Sequence, residues 1–181
     1  MKKSNDKIAL FGSVKILVFA SLMCALSGGL KFLAPTGDTW RISFENFPII
    51  FSGIVLGPYV AGAVGIVSDL LGCLFRGFAI NPFITLASMV VGIVAGVVFK
   101  ISGKKKTLGI VLSVVFAHAI GNVLIKTVAL SAMYGMPFAV LLAERSVTYA
   151  LTALCEAFLI IILCKNKAIQ NGLKKVIGYE L

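Results

Sequence analysis

The chain has 181 residues, 59% of them hydrophobic, with a mean hydropathy of +1.03 and a formal net charge of +10. Soluble domains are typically about 45–50% apolar. The excess here falls in long blocks with few charges, which excludes an ordinary soluble domain and indicates a membrane protein. The positive charge does not indicate nucleic-acid binding, because the cations cluster beside the apolar blocks and no recognition motif accompanies them.

The apolar blocks predict six membrane-spanning helices in one integral membrane domain, residues 1–181. The first block, after Lys7, is expected to be a retained helix, because it is too long for a signal peptide and no small-residue cleavage site follows it. The block Phe44–Phe75 is too long for one helix and contains the turn dipeptide Gly57-Pro58, which predicts two helices. The predicted helices are at about 8–31, 44–56, 59–75, 81–101, 108–132 and 137–164.

The distribution of lysines predicts the orientation. With six helices, the N-terminal lysines, Lys104–Lys106 and the lysines of the tail 165–181 all lie on one side, and the positive-inside rule makes that side the cytoplasm. We therefore predict an all-α polytopic membrane protein with both termini cytoplasmic. The tail has an apolar face and is expected to form a short amphipathic helix on the inner membrane surface.

The four cysteines lie in or at the ends of apolar blocks without C-x-x-C spacing. They are interpreted as packing residues rather than as a disulfide or metal site. We expect no metal ion and no cofactor bound by this chain.

Polar residues in the outer halves of the helices are functional candidates, because ionisable groups at membrane depth are costly. Helical spacing places polar residues of the last three helices on shared faces: Asn81, Thr85 and Ser88; His118, Asn122 and Lys126; and Arg145, Tyr149, Thr152 and Glu156. These stripes predict a pocket open to the outside. Arginine suits a carboxylate, and the aromatic residues Trp40, Phe44, Phe78, Phe83, Tyr134 and Tyr149 could form walls for a planar ring.

Several of these residues also have structural interpretations. Arg41 can pair with Glu45 at a helix start, Asp69 can cap a helix or pair with Arg76, and His118 can be a packing residue. Glu156 can pair with His118, and Arg145 can pair with Glu144. Among them, Arg145 is the strongest functional candidate.

Three segments resemble one transporter family. The stretch "RISFENFPIIFSGIVLGPYVAGAVGIVSDLLG" (Arg41–Gly72) resembles the second and third helices of the S components of energy-coupling factor (ECF) vitamin transporters. The stretch "NPFITLAS" (Asn81–Ser88) resembles the start of their fourth helix, although the family's Gly-rich pattern is absent there. The stretch "GNVLIKTVALSAMYGMPFAVLLAERSVTYA" (Gly121–Ala150) resembles the folate-specific branch.

The resemblance implies a binding subunit without catalysis, in the plasma membrane of a prokaryote. Such a subunit captures a vitamin from outside and docks on a membrane scaffold subunit with two ATPase subunits, which use the ATP. The family docks through Ala-x-x-x-Ala in the first helix, and the matching residues here are Ser21 and Ala25.

For folate as the ligand, we expect each part of the molecule to meet a different residue type. Asn81, Asn122 and Asp69 are expected near the pterin edge, Arg145, Lys126 and Arg41 at the anionic or carbonyl parts, and Trp40, Phe44, Phe83 and Tyr149 against the rings.

Three alternatives remain open from the sequence. The general motif fits an S component for another vitamin or heterocycle equally well. A membrane-embedded enzyme would need converging catalytic groups, and one histidine without H-E-x-x-H offers little to build them. A secondary carrier would be favoured by inverted repeats and interrupted helices, neither of which is evident.

Overall fold

The computed structural model describes residues 13–34, 43–103 and 105–177. In these ranges the regular structure is entirely helical, which confirms the all-α class. Seven helices follow one another: α1 (Val14–Leu33), α2 (Asn46–Leu56), α3 (Pro58–Arg76), α4 (Pro82–Ile101), α5, α6 (Phe138–Lys165) and α7 (Lys167–Ile177). Helix α5 consists of three consecutive segments, Lys106–Ala117, His118–Ile125 and Lys126–Tyr134, of which the middle one is a π-helix.

Five of the described helices, α1, α3, α4, α5 and α6, are long and apolar enough to cross a membrane. Their backbone hydrogen bonds are internal, as a hydrocarbon environment requires. Large apolar side chains such as Leu22, Leu74 and Leu151 are exposed on the outside of the bundle. In a membrane protein these side chains face lipid.

Helix α2 is short but central. It has 11 residues, so it is about 17 Å long at a rise of about 1.5 Å per residue, against about 30 Å for the hydrocarbon core. Nearly all of its side chains are buried, and it contacts every other described helix. Neighbouring helices therefore shield it from lipid, which explains how so short an apolar helix is accommodated.

The chain turns sharply between α2 and α3. Gly57 has φ +86°, a backbone conformation that favours glycine, and Pro58 occupies the first position of α3. The block Phe44–Phe75 is thus two helices in the structure, divided at the dipeptide that the sequence marks as a turn.

Helices α3 and α4 pack closely through glycines. A Cβ atom at Gly65 would lie 2.2 Å from the carbonyl oxygen of Ser88, and one at Gly92 would lie 2.3 Å from that of Ala61. Small residues allow membrane helices to approach in this way, and this contact fixes the position of α4 beside the site described below.

The alternation of the helices gives the bundle two chemically different ends. The mixed-charge end contains Lys31, Glu45, Asp69, Lys126 and Arg145, from α1, α3, α5, α6 and the residue before α2. The opposite lysine end contains the α4–α5 connection, the end of α6 and helix α7.

Helix α7 lies across the lysine end. Its Leu173 is buried, whereas Lys167, Lys174 and Lys175 are exposed. It contacts α6, α1 and α2, and Lys15 Nζ donates to the carbonyl oxygen of Lys175 at 3.3 Å. The amphipathic tail helix expected from the sequence is therefore present over Lys167–Ile177.

Candidate substrate-binding site

The mixed-charge end and the helix interior beneath it contain three buried pairs of ionisable side chains within the described residues. Lys31 Nζ lies 2.5 Å from Asp69 Oδ1, Lys126 Nζ lies 3.4 Å from Glu45 Oε1, and His118 Nε2 lies 2.7 Å from Glu156 Oε2. They connect α1 with α3, α5 with the start of α2, and α5 with α6. Charged groups that are removed from water are kept in pairs, so these contacts hold the helices of the site in register.

Asp69 belongs to a network that joins three helices. One of its carboxylate oxygens accepts from Lys31, and the other accepts from Thr85 Oγ1 on α4 at 2.7 Å. Gly72 provides the space for Lys31, because a Cβ atom there would lie 2.1 Å from Lys31 Cδ. Asp69 is thus occupied by protein partners in this structure.

The interpretation that pairs Asp69 with Arg76 is wrong. Arg76 donates instead to the carbonyl oxygens of Phe32 and Ala34 at the C-terminal end of α1. The last carbonyl groups of a helix have no partner within it, and Arg76 satisfies them. Asp69 lies two turns earlier and faces Lys31.

Lys126 is engaged by Glu45, the residue that precedes α2. Both side chains are buried, and Ser27 Oγ on α1 also donates to the backbone carbonyl of Glu45 at 2.6 Å. The interpretation that pairs Glu45 with Arg41 cannot be compared with the structure, because Arg41 lies outside the described residues, as does Trp40.

Arg145 contacts neutral groups. Its Nη2 donates to the backbone carbonyl of Asn122 at 3.2 Å and to Tyr149 Oη at 3.3 Å, and its guanidinium carbon stands 5.2 Å from the centre of the Tyr149 ring. Within the described residues it forms no ion pair with Glu144, its neighbour in sequence, and adjacent residues of a helix do not face each other. Its charge is therefore not balanced by a carboxylate of the described chain.

Beneath Arg145 a chain of polar side chains enters the bundle. Asn122 Nδ2 lies 3.1 Å from His118 Nδ1, and His118 Nε2 lies 2.7 Å from Glu156 Oε2. An amide NH2 donates, so Nδ1 accepts and Nε2 carries the proton that is donated to Glu156. The predicted pairing of Glu156 with His118 is confirmed, and the His118 ring also contacts Tyr149, with 5.3 Å between ring centres.

The π-helical segment of α5 carries His118 and Asn122. Its i→i+5 hydrogen bonds widen the turn, and such segments occur frequently at functional sites. His118 and Asn122, four residues apart, are in direct contact within it. The sequence spacing predicts their common face but gives no sign of the π-helix.

Asn81 and the aromatic candidates Phe44 and Phe83 lie at or just before the starts of helices. Asn81 Oδ1 caps α4 by accepting from the backbone amide of Phe83 at 2.8 Å, and its Nδ2 lies 2.6 Å from Met133 Sδ on α5. Phe83 is 66% exposed, so it lies at the rim rather than within the cluster, and Phe44 is half-buried. The roles assigned to these residues stay predictions.

Some buried polar atoms at this end have no hydrogen-bond partner among the described residues. They include Arg145 Nε, Asn122 Oδ1 and both side-chain polar atoms of Asn46. Asn46 is not among the residues predicted for the site, because it falls within the apolar second helix; an amide directly after Glu45 and before the apolar run is the available signal.

An apolar cavity lies elsewhere in the described part of the chain. It has a volume of about 350 Å³ and lies between α1 and α3, with mainly apolar walls that include Ser21, Cys24 and Val64. Ser21 and Ala25, predicted to dock on a partner, are both exposed on α1.

Comparison with known proteins gives consistent results. The chain matches the model of a family described as "ECF transporter, substrate-specific component" over residues 7–167. It is 31% identical over 143 residues to a protein named "Folate transporter FolT" from Clostridium novyi (strain NT), covering 76% of this chain and 81% of that protein. A solved structure described as "Crystal structure of FolT bound with folic acid" has a TM-score of 0.72 at 22% identity, covering 83% of this chain and 93% of that chain.

The structural likeness at that identity shows the fold, whereas the family model and the sequence relative show the family. This family consists of transport components rather than enzymes, which is consistent with a polar cluster buried among apolar helices. The chain belongs to the family of substrate-specific components of ECF transporters.

Proposed function

We propose that this chain is the folate-binding component of an ECF-type importer. The observation that carries the proposal is the 31% identity to a protein named as a folate transporter, over 76% of this chain. The resemblance of Gly121–Ala150 to the folate-specific branch agrees with that comparison, and this segment contains Lys126, Arg145 and Tyr149.

The chemistry of the mixed-charge end supports an anionic ligand. Among the described cations there, Lys31 and Lys126 are paired with carboxylates and Arg76 is bonded to backbone carbonyls. Arg145 contacts a carbonyl, a phenol and an aromatic ring. A ligand carboxylate or an electron-rich heterocycle would complete its bonding.

The buried polar atoms without a partner support a ligand that has both hydrogen-bond donors and hydrogen-bond acceptors. A buried polar atom without a partner costs about 1–3 kcal/mol, and Arg145 Nε and Asn122 Oδ1 are such atoms within the described residues. The pterin of folate has a donor–acceptor edge, its benzoyl group is flat, and its glutamate is anionic. Tyr149 is suited to stack on either ring system.

The decisive experiment is calorimetric titration of the purified chain in detergent with folate, and in parallel with riboflavin, thiamine and pantothenate. We expect tight binding of folate alone. In Arg145→Gln the affinity should fall by about 10- to 100-fold, the effect of losing a charge-assisted hydrogen bond. In Arg76→Gln, which removes a guanidinium from the same end, the affinity should stay within about threefold, since Arg76 is bonded to the carbonyl oxygens at the end of α1 rather than to the polar cluster around Arg145.

Other outcomes would test the identity of the ligand and the role of Arg145 separately. Tight binding of a different vitamin would refute folate and retain a substrate-binding component. Folate binding that is weakened equally in both variants would refute the specific role of Arg145 and leave only a general effect of positive charge.

We further propose that all six helices α1–α6 span the plasma membrane of a prokaryote, with both termini in the cytoplasm. The central position of α2 and the gathering of lysines at one end support this arrangement. We also propose that the exposed Ser21 and Ala25 dock on a scaffold subunit that carries two ATPases. A pair of small residues four positions apart permits close helix contact.

A further inference from the structure

A second cavity lies at the lysine end, away from the proposed folate site. It has a volume of about 220 Å³ and is enclosed by the end of α4, the start of α5, the end of α6 and helix α7. Phe99, Ile110 and Ile161 form an apolar wall, whereas Lys106, Lys165 and Thr107 supply polar groups. The space therefore combines an apolar surface with a cationic rim.

The rim is built from separate parts of the chain. Lys106 begins α5 and Lys165 ends α6, so two ammonium groups from two helices border the same space. Gln170 Nε2 donates to the carbonyl oxygen of Cys164 at 2.6 Å, which holds α7 against α6 and closes one side. Among the described residues that line the cavity, none is Asp or Glu.

The surroundings add to the positive potential. Lys100 and Lys105 are exposed around the same end of the bundle. Basic pockets between membrane-spanning helices bind anionic lipid head groups. An amphipathic helix such as α7, with its apolar side inward and its lysines outward, lies at the depth of those head groups.

We propose that this cavity binds the phosphodiester head group of an anionic phospholipid. Lys106, Lys165 and the Thr107 hydroxyl contact the phosphate, and the glycerol and first acyl carbons lie against Phe99, Ile110 and Ile161. A free phosphate would use the same cations but would leave the apolar wall without a partner, so the chemistry favours a lipid. The lipid would connect α5, α6 and α7, and neither its site nor its role depends on folate.

The test is native mass spectrometry of the full chain in detergent, titrated with phosphatidylglycerol, with phosphatidylcholine and with inorganic phosphate. We expect retained phosphatidylglycerol at one saturable site and little retention of the other two. Lys106→Gln and Lys165→Gln should each weaken phosphatidylglycerol binding by about fivefold, since one lysine contributes about that factor near an anionic surface.

Two further variants keep the test independent of net charge and of folding. Lys167→Gln removes the same charge outside the cavity and should leave binding unchanged. Thr107→Trp keeps both lysines but fills the space, and it should weaken binding at least as much as either cavity lysine variant. Folate titration and the thermal midpoint of each variant show whether it is folded.

Equal retention of the two phospholipids would overturn the proposal, as would equal effects of Lys106→Gln and Lys167→Gln. Inorganic phosphate that competes at equal concentration would assign the cavity to a free anion and would refute the lipid. Unchanged binding in a folded Thr107→Trp protein would show that the lipid lies outside the cavity.

Discussion

Among single residues, Glu156 is an ionisable group whose side chain is fully buried. Its side chain is 0% exposed in an apolar helix, and that of its partner His118 is 3% exposed. Burying a charge is costly unless it is paired and hydrogen-bonded. The pair therefore contributes little net stability by itself, but each member depends strongly on the other.

We predict that His118→Leu or Glu156→Leu alone lowers the free energy of unfolding by about 3 kcal/mol, because each leaves one buried partner uncompensated. The double variant should recover most of this loss, since two apolar side chains of similar volume replace the pair. Unfolding midpoints in one detergent, measured for all four proteins, form the thermodynamic cycle. A double variant as unstable as the sum of the single variants would contradict this view of the pair.

The residue scale also shows what the sequence can and cannot reveal. Spacing of four placed His118 with Asn122 on one face, and the structure has them in contact. It could not reveal that Lys126 meets Glu45, which is 81 positions away in sequence. The sequence also suggested Arg76 as the partner of Asp69, because both lie on α3. In the structure the partner is Lys31, which lies on α1. Periodicity gives the face of a helix, but only packing selects the partner.

At the scale of elements, the contact of α3 with α4 depends on the absence of side chains at two positions. Added Cβ atoms at Gly65 and Gly92 would meet backbone carbonyl oxygens on the facing helix. Backbone atoms cannot rotate away as a side chain can, so the two helices would have to separate.

We predict that Gly65→Ala and Gly92→Ala each lower the unfolding free energy by about 2–3 kcal/mol, the usual range for overpacking. Gly29→Ala is the matched control, because a Cβ atom at that helical position meets nothing within 4 Å. It should be neutral or slightly stabilising, since alanine favours helix over glycine. Thermal midpoints in detergent measure the difference, and equal midpoints for all three variants would show that the helices adjust freely.

The sequence predicts some features of the helices and not others, and the difference has a physical reason. Long apolar blocks and a Gly-Pro turn identify spanning helices without knowledge of their neighbours. The burial of nearly all of α2 and the π-helical segment of α5 depend on how the whole bundle packs. At Gly121, for example, an added Cβ atom would lie 2.3 Å from Val91 Cγ2. No local pattern encodes such a contact.

For the whole molecule, the first question is how often the chain crosses the membrane. Cysteines introduced one at a time at Ser13, Ala79 and Lys105, in a background with all four native cysteines replaced by serine, report the side of each position. We predict that a membrane-impermeant maleimide labels Ala79→Cys in intact cells, and Ser13→Cys and Lys105→Cys only after permeabilisation, because α1, α2 and α3 would separate residue 13 from residue 79. Labelling of Ser13→Cys and Ala79→Cys from the same side would show that α2 does not span.

The second question is whether ligand capture and docking use separate surfaces. Ser21 and Ala25 are exposed on the outside of α1, and Ser21 borders the apolar cavity between α1 and α3. The polar cluster around Arg145 and Tyr149 involves α5 and α6 instead. A change at the α1 surface should therefore affect assembly and leave the ligand site intact.

We predict that Ser21→Trp and Ala25→Trp retain the folate affinity of the isolated chain but reduce folate uptake by about tenfold or more, the effect of losing about 1.4 kcal/mol of association free energy. Uptake is measured in cells that produce the chain together with a scaffold and two ATPase subunits. Leu151→Trp, at an equally lipid-facing position of α6, is the control and should transport normally. If folate binding and uptake fell together in the α1 variants, the substitutions would be acting through the fold, and docking through this surface would have no support. If uptake fell only in Leu151→Trp, the docking surface would belong to α6.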